Sequence, residues 1–312
     1  MNNLNKGIHH ISIISGDAQR NADFYVNTLG LRMVLKSVNQ DDPGSYHLFY
    51  ANKNGDPGSS ITFFPWPKAV KAEYGAGETV AIAFSVPESS IEFWKDHFEK
   101  LNIPQKEVFE RFGKKVLPFF DPDGLPLELV EDSLSEDIEA WEKSSIPSDY
   151  QIRGLWSATL RINEFEGTQN ILEEVLGFKV AESDENFKRL STESPLGHSI
   201  ILEKTDQPIN NRTGRGSVHH VAFRAKDEEQ LEVMRKKVMD MGLNPTEILD
   251  RHVFKSVYYR TPGGILFEMA TDGPGYGIAH HSDEEMGKKL FLPPWLEEKR
   301  DQIENKLTPI KL

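Results

Sequence analysis

Two short phrases carry most of the chemical content of this chain. Gly7-Ile8-His9-His10-Ile11-Ser12 and Ser217-Val218-His219-His220-Val221-Ala222-Phe223 each set adjacent histidines between apolar, largely β-branched residues. The pattern is that of a half-buried strand, whose successive side chains point to opposite faces. One imidazole of each pair therefore faces whatever the sheet encloses, and the other faces away or lies beside it. The chain holds only 10 histidines, so two such strands at opposite ends are not a product of composition. A histidine facing an enclosed sheet suits metal ligation, or proton transfer near neutrality, since its ordinary pKa is about 6.5.

These strands belong to a repeat. Ala18 to Leu29 puts Ala22, Tyr25 and Leu29 on one helical face, and Gly30 caps it. Strands follow at Leu31–Val38, Ser45–Tyr50 and Ser60–Phe64, which gives the order β-α-β-β-β. A second unit runs from Thr79–Val86 through a helix at Ser89–Leu101 to a last strand at Pro126–Val130. A third opens at Leu155–Leu160, carries Ile171, Leu172, Val175 and Leu176 on its helix, and ends at Ser199–Glu203. The fourth starts with the second His-His strand, continues through a helix at Glu228–Met241 and closes at Leu266–Ala270. Units two and four match without a gap from Asp121-Pro122-Asp123-Gly124 to Glu128 and from Thr261-Pro262-Gly263-Gly264 to Glu268.

A unit this short cannot bury its own sheet. The expected fold is therefore α+β, with four βαβββ modules paired into two curved, barrel-like sheets and the helices outside. The charged stretch Ser133 to Ser148 is the expected linker. The domain boundaries that follow are 1–140 for units one and two, 150–272 for units three and four, and 273–312 for a tail ending in an amphipathic helix.

Aligning the four units turns the histidines into a site. His220 corresponds to His10 in unit one, Ala81 in unit two and Ser157 in unit three. Glu268 corresponds to Glu128 and to Glu203 in units two and three, and falls near Phe63 or Phe64 in unit one. If units one and four share a sheet, His10, His220 and Glu268 converge. Two neutral imidazoles and one carboxylate, with coordination positions left open, form the facial set of non-heme Fe(II) enzymes that bind substrate and dioxygen together. Zinc more often takes a closed tetrahedral set, or three ligands and a water. Glu128 and Glu203 have no histidine in their own units and read as relics of the repeat.

Composition narrows the function classes. A net charge of −13 argues against a phosphate-backbone binder, so no nucleic-acid partner is expected. No run is long enough to span a bilayer. With 0 cysteines there is neither a disulfide nor a thiolate ligand or nucleophile. The opening Met1-Asn2-Asn3-Leu4-Asn5-Lys6 lacks the apolar core of a signal peptide, and a cytoplasmic location is the expectation. The oligomeric state is left open, a homo-oligomer included.

With these residues assembled, the chain resembles the vicinal oxygen chelate (glyoxalase-like) superfamily. Within it, the chain is similar to the ring-cleaving dioxygenases that open para-hydroquinones, the (chloro)hydroquinone 1,2-dioxygenase type. The resemblance spans essentially the whole length. It includes the Gly-Ile-His-His opening, Asn21-x-x-Phe24-Tyr25-x-x-x-Leu29-Gly30-Leu31, Val38-Asn39-x-Asp41-Asp42-Pro43, Phe63-Phe64-Pro65-Trp66 and the Leu292-Pro293-Pro294-Trp295 tail. One departure is Gly275 to His281, where the family carries a more acidic segment. The resemblance implies that His10, His220 and Glu268 hold Fe(II), or Mn(II) in some members. It also implies that His9 and His219 lie close by as supporting or acid/base groups, and that Tyr258 and Arg251 stand near substrate and oxygen. The implied substrates are a small dihydroxylated aromatic ring and O2.

Several other residues read more plainly. His252 is a neighbour of the site, and His280 and His281 are solvated tail residues. Phe63, Phe64, Trp66 and Trp156 serve core packing or an aromatic pocket wall. Two alternatives stay open: a glyoxalase-like metal-dependent isomerase or thiol transferase, and a metal-free drug-binding resistance protein.

Overall fold

The computed structural model describes residues 6–210 and 212–312, so the signal-peptide expectation placed on Met1 to Asn5 falls outside the described residues. Unit one comprises β1 (Ile8–Ser15), β2 (Arg32–Asn39), β3 (Asp42–Ala51) and β4 (Ser60–Pro65). Unit two holds β5 (Glu78–Val86), β6 (Phe109–Arg111), β7 (Lys114–Phe120) and β8 (Pro126–Glu131). Unit three holds β9 (Gly154–Ile162), β10 (Lys179–Ser183), β11 (Phe187–Ser191) and β12 (Ser199–Lys204). Unit four holds β13 (Ser217–Ala225), β14 (Leu249–Asp250), β15 (Phe254–Arg260) and β16 (Leu266–Pro274). Each unit has its helix after the first strand: α1 (Ala18–Ala22), α2 (Ile91–Lys100), α3 (Glu166–Glu174) and α4 (Glu228–Asp240).

Local chemistry explains these helices. Asp227 caps α4 by accepting from the backbone N–H of Gln230, and Leu231, Met234 and Val238 form its buried stripe. Asp17 caps α1 in the same way through Arg20. The single helix expected over Ala18–Leu29 instead switches to a π-helical turn over Asp23–Thr28. There Leu29 donates to the Phe24 carbonyl, five residues back, and the wider turn buries both Phe24 and Tyr25.

The strands form two eight-stranded sheets. One has the order β14-β15-β16-β13-β1-β4-β3-β2 and the other β10-β11-β12-β9-β5-β8-β7-β6. The first thus joins units four and one through the antiparallel pair β1/β13, and the second joins units three and two through β5/β9. Within each unit the first and last strands run parallel, as in β1/β4 and β13/β16. The helices bury large side chains such as Trp94, Phe98 and Tyr25 in the main core.

This register corrects two of the repeat alignments. Glu268 stands opposite Ala222, two residues beyond His220. The matching pairs are Thr62 opposite Ser12 in unit one, Glu128 opposite Ala83 in unit two, and Ile201 opposite Thr159 in unit three. Thr62, not Phe63 or Phe64, therefore takes the place of Glu268 in unit one. Glu203 lies two residues further along and pairs with Arg161 at 2.8 Å.

The segment expected as a linker docks on unit one. Lys53 meets both Glu139 and Glu142 at 2.6 Å, and the Ser144 hydroxyl donates to the Gly30 carbonyl. The tail ends in a 3-10 turn over Pro294–Lys299 and a short α5 (Arg300–Glu304), rather than one continuous amphipathic helix. Before that, its Tyr276 and Met286 pack with Phe49 and Phe254 against the first sheet.

Candidate metal centre

His10 and His220 lie on the two central strands of the first sheet, and Glu268 lies on the strand beside β13. Their side chains converge. The two Nε2 atoms are 3.4 Å apart, and Glu268 Oε2 lies 2.8 Å from His220 Nε2 and 3.2 Å from His10 Nε2. All three residues are buried, Glu268 with 0% exposure. Behind them, His9 Nδ1 shares a hydrogen bond with His10 Nδ1 at 2.9 Å, and His219 Nδ1 with His220 Nδ1 at 2.8 Å. A proton on the Nδ1 of each inner imidazole, donated backwards, leaves both Nε2 lone pairs aimed at one point. Such outer partners fix tautomer and ring orientation in metal sites.

The electrostatics agree with a ligand set. Burial opposes a charge on Glu268, but the His10 and His220 imidazoles outweigh it and hold the carboxyl well below its ordinary range. Burial dominates at His220 and lowers its pKa, which favours the neutral ring. Burial, reinforced by the neighbouring histidine, also drives His9 well down and His219 down to about 3. Burial thus favours the neutral ring at His9, His219 and His220, around a fully buried Glu268 carboxyl that is held in its ionised form.

The second sheet shows how the same carboxylate position is satisfied without histidines. Glu128 occupies it, and Arg111 grips both of its oxygens, with one contact at 3.2 Å. Among the described residues no arginine performs that service for Glu268, although a buried carboxylate requires a compensating charge. Without a cation, only a proton shared between Glu268 and the Nε2 atoms of His10 and His220 balances that charge, and a bound cation would replace the proton. The donor set therefore fits a divalent cation of the kind that takes mixed nitrogen and oxygen ligands.

The set opens onto a small cleft of about 50 Å3, whose walls include His10, His220, Tyr258, Arg251, Phe254 and Phe64. Tyr258 lies edge-on to His220 with ring centroids 5.4 Å apart, and burial raises its phenol pKa well above the ordinary value. Arg251 stands 5.5 Å over the Tyr258 ring and reaches Asp41 at 3.3 Å. His9 and His219 do not line the cleft. The larger cavity, about 1360 Å3, lies over the second sheet and contains Glu128 and Glu203 without any histidine.

His47 was missed in the sequence. It lines the cleft from β3, held between Phe49 at 3.9 Å and Phe64 at 4.1 Å. Its Nε2 bonds Thr62 at 2.9 Å, and Thr62 in turn bonds Ser12 at 2.7 Å. Burial lowers its pKa well below the ordinary value. Thr62 stands at the register position that Glu268 holds in unit four. Among the other residues singled out, His252 packs on Phe291, which also walls the cleft, and His280 donates to the Val34 carbonyl. Phe63 packs in the core and Trp66 stacks on Phe64, while Trp156 belongs to the second sheet.

Comparison with known proteins agrees with this architecture. Residues 7–129 and 155–269 match the family described as the glyoxalase/bleomycin resistance protein/dioxygenase superfamily. MhqO of Bacillus subtilis, named as a ring-cleaving dioxygenase, is 40% identical over 98% of this chain and 97% of its own length. The chlorohydroquinone/hydroquinone 1,2-dioxygenase of Sphingobium indicum is 32% identical over 96% of this chain and 94% of its own. A Bacillus subtilis crystal structure named as a dioxygenase superposes with a TM-score of 0.92 at 40% identity, over 98% of both chains. Glyoxalase I from Zea mays, at 14% identity, 89% of this chain and 97% of its own, shares the fold with a TM-score of 0.63. Among the described residues no helix is long and apolar enough to cross a membrane.

Proposed function

Because the chain belongs to the glyoxalase/bleomycin resistance protein/dioxygenase superfamily, we propose that it is a ring-cleaving dioxygenase acting on a small dihydroxylated aromatic ring, hydroquinone or catechol in type. The observation that carries this reading is the convergence of His10, His220 and Glu268 at the end of a narrow, aromatic-walled cleft. The relatives named for ring cleavage and for hydroquinone dioxygenation support the substrate class.

In this reading the three residues hold Fe(II), with Mn(II) as the alternative. A divalent metal bound there acidifies a ring hydroxyl and lets substrate and O2 meet in one coordination sphere. Everything else falls to the protein. His9 and His219 keep the inner imidazoles in the tautomer that presents Nε2, which is a positioning role rather than contact with substrate. Phe64, Phe254 and Phe291 clasp a flat ring and exclude water. Tyr258, kept protonated by burial beside His220, would serve as a hydrogen-bond donor facing the substrate cleft. Arg251, at the same wall, offsets negative charge as the ring opens. His47 presents Nδ1 from the wall that unit one contributes, across the cup from the unit-four residues, where the far hydroxyl of a bound ring would lie.

Thr62 separates this reading from the isomerase alternative. A glyoxalase-like site draws a carboxylate from each paired unit, and the register places a hydroxyl there instead. Oxygen-electrode assays after anaerobic Fe(II) loading test the proposal with hydroquinones, catechols and a glutathione hemithioacetal. Oxygen uptake coupled to ring loss is expected. Hemithioacetal isomerisation without oxygen uptake would replace the reading.

A further inference from the structure

Unit two contains an unintended control for the metal centre. At the same offset that aligns Glu128 with Glu268, Arg111 aligns with Arg251, Phe112 with His252 and Pro118 with Tyr258. The backbone confirms the match: Phe112 and His252 both hold positive φ, 53° and 71°. Pro118 stands opposite Glu128, and Tyr258 stands opposite Glu268. The two arginines nevertheless go to different places. Arg111 passes the small Pro118 ring and clamps Glu128. Arg251 lies over the face of Tyr258 and reaches Asp41 of unit one, away from Glu268.

We propose that Tyr258 blocks Arg251 from collapsing onto Glu268, with Asp41 drawing the guanidinium outward, and that this arrangement keeps the carboxylate free for a cation. The inference rests on the metal reading above. A guanidinium and a divalent ion compete for the same buried charge, and a bidentate Arg–carboxylate pair is a strong competitor once it can form. Asp41 is 78% exposed, so its ion pair alone is weak. The aromatic ring is the principal barrier, and the exchange of proline for tyrosine, beside the histidines that unit two lacks, is what spares Glu268 the salt bridge that closes over Glu128.

Anaerobic calorimetric titration of the metal-free protein with Fe(II) and Mn(II) tests this. Tyr258→Ala opens the path and is expected to weaken metal binding by roughly tenfold or more. Tyr258→Phe, which keeps the ring but drops the hydroxyl's contacts with Arg251 and Glu268, should lose far less affinity than Tyr258→Ala. The double variant Tyr258→Ala/Arg251→Gln should recover near wild-type affinity, a rescue that a merely structural role for Tyr258 would not give. Asp41→Asn, at an exposed position that does not threaten folding, should weaken binding by a smaller factor, again reversed by Arg251→Gln. Wild-type affinity in Tyr258→Ala, or no rescue in the double variant, overturns the proposal. An unchanged Asp41→Asn removes Asp41 from it. A wild-type protein that binds neither metal overturns the metal centre itself, and this inference with it.

Discussion

Glu128 and Glu268 occupy the same register position in the two sheets, opposite Ala83 and Ala222, and differ only in what balances their charge. Arg111→Ala leaves Glu128 without its partner in a largely buried position. Urea unfolding should show a loss of roughly 3 kcal/mol, typical of breaking a buried pair from one side. The double variant Arg111→Met/Glu128→Leu should recover most of that loss. Metal affinity at the first sheet should be unchanged in both.

His47 gives a prediction about substrate selection. His47→Phe preserves the stack between Phe49 and Phe64 but removes the polar edge. For a hydroquinone, kcat/KM should fall about tenfold, equivalent to about 1.4 kcal/mol of lost transition-state contact. For the same ring with its distal oxygen methylated, the change should be small. Metal content should not move. Equal losses on both rings would mean that His47 only supports packing.

The first sheet also sets a pH dependence of stability. His9, His47, His219 and His220 all have pKa values lowered on folding, with burial the leading cause. The unfolded chain therefore binds more protons than the native one below the ordinary imidazole value, so unfolding free energy rises with pH there. Their contribution is fully present above about pH 6.5 and is lost progressively on acidification, through a window that for His219 extends down to about 3. Urea midpoints of the metal-free protein at pH 7, 6 and 5 should fall in that order. The fall should be shallower in His47→Phe. A flat profile would contradict the burial of neutral imidazoles.

Much of this was legible in the sequence because period-2 strands, capping glycines and the Pro-Asp-Gly and Pro-Gly-Gly turns repeat with the fold. The His-His pairs marked β1 and β13, whereas the sharing of one sheet by units one and four entered only as a condition for the site, and the β1/β13 pair meets it. Register was harder to read. A slip of two residues keeps a side chain on the same face, so Glu203 passed for the partner of Glu128 although Ile201 holds that position. His47 was invisible for a different reason. Its place depends on how far β3 curls round the cup, and a lone histidine in Ser45-Tyr46-His47-Leu48 carries no trace of that curvature. The π turn at Asp23–Thr28 was likewise hidden, since α and π turns share nearly the same apolar spacing.

In the proposed reading one ion is held jointly by residues from the first and last units. Fe(II) content after anaerobic loading and desalting, measured with oxygen uptake on hydroquinone in the same samples, tests it most directly. The wild type should retain one Fe(II) per chain and consume O2, whereas His10→Ala and Glu268→Gln should stay folded yet lose both the metal and the turnover. Full Fe(II) content and undiminished oxygen uptake in His10→Ala would contradict it.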